Sequence, residues 1–177
     1  MSWRRIPIAI LSALAILGSA LPATRAEEHS IRAEAPWEGR MRVYVMGQRQ
    51  AFILGVFTGS LAVNPESSAF HGAQLLCPGV IDGDYAANVI RGNGQCVVTA
   101  GSGDRLFARW TCTGEPEKGC AGRFVLTGGT GAYQGVTGEG DLMLRLTLSD
   151  LTRLNQLESD YDVKGLATWP ALRYRTP

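Results

Sequence analysis

The stretch Gly122–Gly140, GRFVLTGGTGAYQGVTGEG, decides how the rest of this chain is read. It opens as a β-prone run ending at Thr127, breaks at Gly128-Gly129-Thr130-Gly131, carries the aromatic Tyr133, and passes Gly135 and Gly138 before another strand-like run. Glycine reaches the positive φ angles that tight turns require. Gly128, Gly129, Gly131 and Gly135 are therefore read as backbone-permissive positions rather than ligand contacts. A phosphate-cradling loop does not fit, because no Gly-Lys-Ser/Thr ending follows and Gly129-x-Gly131-x-x-x-Gly135 lacks the dinucleotide-site spacing.

Outward from this segment the chain alternates short β-prone runs with Gly, Pro, Asn and Asp, the pattern of antiparallel strands and turns. Candidate strands cover residues 40–46, 51–63 with a break near Gly59, 72–76, 95–100, 106–113, 122–127, 141–148 and 161–168. Gly101-Ser102-Gly103-Asp104 lies between CVVTA and RLFARWTC, which predicts a hairpin. In the run from Asp141, residues Leu142, Leu144, Leu146 and Leu148 share one face and Met143, Arg145 and Thr147 the other. Residues 149–158, SDLTRLNQLE, space their leucines for one short helix.

Together, GRFVLTGGTGAYQGVTGEG and the upstream CVVTAGSGDRLFARWTC resemble the allene oxide cyclase barrel and dirigent-like superfamily, over about residues 74–148. The resemblance implies an all-β fold, a closed eight-stranded antiparallel barrel with an interior cavity, often assembled as a trimer. Members include plant cyclases, stereochemistry-guiding dirigent proteins and bacterial cyclases. No catalytic residue is carried over, because residues 40–63 hold no matching motif.

The chain has 177 residues, 17 basic against 16 acidic side chains, and 22 glycines. Its near-neutral balance gives no basic surface for nucleic acid. Residues 1–26 have a basic start, an apolar stretch from Ile6 to Leu21 and a small-residue end at Ala26, the pattern of an export signal. That apolar stretch is shorter than the roughly 20 residues a membrane-spanning helix needs. The product is thus expected to be secreted or periplasmic, with no membrane span after signal removal, and slightly acidic because Arg4, Arg5 and Arg25 leave with the signal. Residues 27–39 read as a flexible lead-in and 40–177 as a single barrel domain.

Cys77, Cys96, Cys112 and Cys120 form an even set in an exported chain, which favours disulfides over a metal site. Cys112 and Cys120 flank the turn-rich TGEPEKG and are paired first, leaving Cys77 with Cys96 across PGVIDGDYAANVIRGNGQ. No short Cys-x-x-Cys pair supports zinc. Asp82 and Asp84 lack the remaining oxygen pattern of a calcium loop, and His71 is read as a turn residue. No metal or cofactor is expected.

Ligand-pocket candidates are Arg109, Arg123 and Arg145, charged residues inside apolar runs, with Phe107, Trp110 and Tyr133 as aromatic lining. Inward arginines would anchor a ligand's anionic head; on the exterior they would be solvated or sit at a subunit contact. Three functions fit these residues. The first is binding of a small apolar or amphipathic molecule. The others are cyclase or isomerase chemistry with Arg or Glu polarising the substrate, and a non-catalytic envelope or surface interaction scaffold. A polar, charged cavity floor points to the cyclase, an apolar cavity to the binder, and a filled barrel to the scaffold.

Overall fold

The computed structural model describes residues 27–147 and 158–176. The export segment and residues 149–157 of the expected helix lie outside the described residues, and Glu158 opens a strand instead. Nine strands follow in order: β1 Glu27–Gly47, β2 Gln50–Ser60, β3 Ala62–Asn64, β4 Gln74–Asp84, β5 Val89–Thr99, β6 Arg105–Glu115, β7 Gly119–Gly129, β8 Thr137–Thr147 and β9 Glu158–Thr176. A 3-10 turn, Gly131–Tyr133, links β7 to β8. All neighbours are antiparallel, running β2-β4-β5-β6-β7-β8-β9-β1, and β1 pairs back onto β2. Eight strands thus close a barrel, which removes its free edges. β3 is the ninth, a short continuation of β2 beyond Leu61 that pairs with residues 32–34 of β1.

The strands follow the alternation expected from the sequence. Along β6, Leu106, Ala108, Trp110 and Cys112 are buried while Arg105, Phe107, Arg109 and Thr111 are exposed. Leu142 is buried and Leu144 and Leu146 half-buried, whereas Met143 and Arg145 face solvent. Among the described residues no polar or charged side chain is buried apart from the polar tips of Trp and Tyr.

Two expectations are corrected. Residues 27–39 are the first half of β1, paired with β9 from Glu27↔Thr176 onward, so the barrel domain begins at Glu27 rather than Arg40. Polar side chains there alternate with buried Ile31, Ala33 and Ala35, and the small inward residues hid the period. The segment between Cys77 and Cys96, which lies outside the expected strands, is the hairpin β4–β5. Its glycines looked like turn signals, yet Gly79, Gly83, Gly92 and Gly94 all lie inside strands.

Both expected disulfides form, Cys77–Cys96 and Cys112–Cys120. Each bridges adjacent strands. The β4–β5 ladder skips from Leu76↔Val97 to Gly79↔Gly94 around Pro78, which has no N–H to donate, and the first disulfide sits in that gap.

The Gly-rich segment acts as a clasp between two hairpins. The Arg105 N–H donates to Thr130 Oγ1 (2.9 Å) and the Thr130 N–H to the Arg105 carbonyl (2.8 Å). Asp104 Oδ2 accepts from Ser102 Oγ (3.2 Å) and the Ala132 N–H (3.4 Å). Gly131 needs its positive φ of 54°, and a Cβ there would strike the Asp104 carboxylate. Beneath the clasp Tyr133 stacks on Phe70 (5.0 Å), which meets Tyr174 edge-on (5.2 Å) and plugs this end of the barrel.

Three outcomes follow from this architecture. Gly131→Ala should lose more than about 1 kcal/mol in urea unfolding, whereas Gly101→Ala, with nothing within 4 Å of its Cβ position, should stay within about 0.5 kcal/mol. Opening the bridges should cost about 3 kcal/mol for the separation of 19 residues and about 2.5 kcal/mol for the separation of 8, read as a lower midpoint after reduction.

Stability should also be level between about pH 5 and 9 and fall on both sides. Burial holds the phenols of Tyr85, Tyr133 and Tyr174 above their usual 10.0, helped by Tyr161, Asp104 and Tyr133 respectively. A raised phenol stabilises the fold fully below the ordinary tyrosine range, and that contribution disappears as pH climbs through the folded values. The hydrogen bond from Arg42 lowers Asp160, and that from Lys118 lowers Glu115. Their contribution is present above the ordinary carboxylate range and is lost as pH drops through the lowered values.

Candidate functional site

Inward positions of the barrel alternate between very large and very small side chains. Trp110 on β6 lies over Gly79 of β4 and Gly92 and Gly94 of β5. A Cβ at Gly92 would meet Trp110 Cζ3 at 2.9 Å and Cys112 Sγ at 3.2 Å, and one at Gly94 would meet Trp110 Nε1 at 2.6 Å. Trp37 on β1 lies against Gly165 of β9, whose Cβ would come within 2.6 Å of Trp37 Cε2. Trp169 on β9 meets Phe124 of β7 edge-on at 5.3 Å, and Trp37 meets Phe57 of β2 the same way at 5.0 Å. The absence of side chains at these glycines is what admits the rings.

Even so, the interior is not completely filled. A cavity of about 90 Å³ is lined by residues that include Trp37, Phe57, Leu75, Trp110, Phe124 and Trp169. It lies between the larger core, which contains the aromatic plug, and a second cluster of Met41, Val43, Ala51, Ile53 and Val163 at the other end; Trp37 and Phe57 touch both. No charged side chain lines it. Apart from Thr58, the residues that line it are apolar, among them Cys77, Cys96, Cys120 and Met41. Thr58 is exposed, and its hydroxyl donates to the Glu38 carbonyl at 3.4 Å. The three indole N–H groups, of Trp37, Trp110 and Trp169, are buried and have no hydrogen-bond partner in the protein.

The sequence-based candidates separate. Trp110 lies inside, 4% exposed. Tyr133 is buried but belongs to the plug, not the cavity. Phe107, Arg109, Arg123 and Arg145 point outward, because their positions alternate with the inward Trp110, Phe124 and Leu144. Arg123 pairs on the exterior with Glu139 (2.7 Å) and Asp141 (2.6 Å). Phe107, Arg109 and Arg123 instead border a broad open groove on the outer wall, about 1320 Å³, together with Leu54, Val56 and Val97. The polarising arginines on which the cyclase reading relied are thus outside the barrel. Asp84 caps the β4–β5 turn by accepting from the Ala86 and Ala87 N–H groups at 3.0 Å. Among the described residues no group of three His, Cys, Asp or Glu is placed to hold a metal.

Sequence reading missed Trp37 and Trp169. Their shared signal was strand parity: both fall on the inward phase of long strands, but residues 27–39 and 169–176 were outside the expected strands.

What fold and site define is a closed antiparallel barrel with an apolar, tryptophan-lined interior. No protein-family model matches the chain, and no curated protein matches it. Among solved structures it is similar to that of the pterocarpan synthase dirigent protein GePTS1, with 93% of this chain and 97% of that one covered, 11% identity and a TM-score of 0.41. No residue of that protein is carried over.

If the glycines serve the rings, Gly94→Ala should cost about 1–3 kcal/mol through overpacking and alter tryptophan emission. Equal stability and an unchanged spectrum would show that Trp110 does not depend on this contact.

Proposed function

We propose that the protein holds one small apolar or amphipathic molecule inside its barrel and does not transform it. The observation that carries this reading is the cavity of about 90 Å³ that remains between two packed clusters and has no charged lining. An apolar cavity of about 150 Å³ in another protein stays dry and takes up benzene, while drug-sized ligands need about 300–1,000 Å³. At about 90 Å³ the cavity is smaller than either, so its occupant is no larger than a single five- or six-membered ring. A cyclase would need a group to polarise its substrate, and the wall supplies no acid, base or cation.

Export belongs to the same proposal. Its support is the signal pattern of residues 1–26 together with two disulfides, which form and persist in oxidising compartments. So does self-association through the outer wall, where Leu76, Val97 and Phe107 are consecutive cross-strand partners and Leu54 and Val56 are also exposed. Light scattering should give a mass above that of one chain, and Phe107→Glu should reduce it.

Benzene tests the interior reading. At about 100 times its dissociation constant it should add about 2.7 kcal/mol to stability, and Ala167→Leu, which grows into the cavity, should abolish that gain. If benzene neither raises the unfolding midpoint nor perturbs tryptophan signals, the barrel is a filled scaffold and the proposal fails.

A further inference from the structure

Among the described residues, the cavity wall offers an occupant neither a hydrogen-bond donor nor an acceptor. Every residue that lines it lies in a strand, where backbone N–H and C=O groups point along the sheet and only side chains face the interior. Those side chains are aliphatic, aromatic or sulfur-bearing apart from Thr58, which is exposed and donates its hydroxyl to the Glu38 carbonyl. The indole nitrogens of Trp37, Trp110 and Trp169 have essentially no exposed surface. Trp110 Nε1 faces the strand wall at Gly94, 2.6 Å from where a Cβ would stand. What the rings present to the cavity is therefore carbon.

Each class of occupant fares differently against such a wall. A water molecule needs about two to four polar partners to be held in a cavity, and here it finds none. A hydroxyl, ether, carbonyl or amine gives up its hydrogen bonds to water on entry and gains no replacement. An anion is worse placed still, because Arg109, Arg123 and Arg145 all face outward. The cavity borders packed apolar clusters on either side along the barrel, so a polar end directed along the axis meets hydrocarbon as well. A hydrocarbon has no hydrogen bond to lose; it leaves water and gains dispersion contacts with the lining.

We propose that the interior selects ring-sized hydrocarbons, and that it rejects alcohols, phenols, ethers and ketones of the same size by desolvation rather than by shape. This rests on the interior being a binding site. Within that reading it narrows the occupant from apolar or amphipathic to apolar alone. The selectivity lies in what the wall lacks: strands present no backbone polar group inward, and the indoles that fill the barrel keep their nitrogens within the protein.

Three five-membered rings test it: cyclopentane, which has no polar atom; tetrahydrofuran, which accepts through its ring oxygen; and pyrrole, which donates through its N–H. All three are of one ring size, so size does not separate them. Each is titrated into the full chain isotope-labelled at its leucine methyl groups, and binding is read from Leu142 and Leu144, which line the cavity. Cyclopentane should bind about tenfold or more tightly than either tetrahydrofuran or pyrrole. Ala167→Leu, which grows into the cavity, should abolish the cyclopentane shifts.

A smaller margin over either polar ring, or a polar ring that binds where cyclopentane does not, would overturn selection against polar atoms while leaving interior binding intact. If none of the three moves the Leu142 and Leu144 methyl resonances, or if cyclopentane acts equally on Ala167→Leu, the interior reading on which it rests is rejected instead. The ranking and the methyl shifts both come from the unsubstituted chain, so the conclusion holds even where the variant does not fold.

Discussion

Closing eight strands into a barrel fixes an interior that the chain's own side chains must fill, and here large indoles do so by lying on wall positions that have no side chain. Trp110 covers Gly79, Gly92 and Gly94, and Trp37 covers Gly165. The dependence is mutual. The rings cannot enter unless those positions are glycine, and the glycines would leave the wall thin without the rings behind them. Because rings are stiff and few, filling by this route is incomplete, and the remainder is an apolar cavity rather than the continuous packing of a Leu/Ile/Val core.

The other stabilising features maintain this closure. At Pro78 the β4–β5 ladder loses its hydrogen bonds, and Cys77–Cys96 ties the strands together there, while Trp110 covers the same stretch of wall from inside. Cys112–Cys120 ties β6 to β7. At one end the Thr130–Arg105 and Asp104–Ala132 contacts join two hairpins over the plug of Phe70, Tyr133 and Tyr174. Charges stay on the outside, where Arg42 with Asp160 and Arg123 with Glu139 and Asp141 are exposed pairs. Such pairs contribute little to stability. The interior is consequently free of charged groups, and that favours holding a neutral molecule over polarising one.

Much of the barrel was legible from local chemistry. The β5–β6 hairpin follows from Gly101–Asp104, the two-faced strand from Leu142, Leu144 and Leu146, and both cysteine pairings from an even count around a short turn. Strand ends were not legible, because glycine carries two meanings. Gly131 does serve a turn, with positive φ. Gly79, Gly92, Gly94 and Gly165 sit inside strands, and nothing within their own segments distinguishes them from turn glycines.

The sequence by itself determined the alternation that makes each strand two-faced, the oxidisable cysteine pairs and the turn chemistry of the Gly-rich segment, because all of these depend on residues close together in the chain. Only the tertiary structure decided which arginines faced outward, that Tyr133 joined the plug, and that Trp37, Trp110 and Trp169 shared one cavity. The phase of every strand is fixed by its register with its neighbours, and a shift of one residue exchanges the inside for the outside. Trp37 and Trp169 come from β1 and β9, which are adjacent only because the sheet closes, so their meeting with Trp110 is a property of closure and of no single segment.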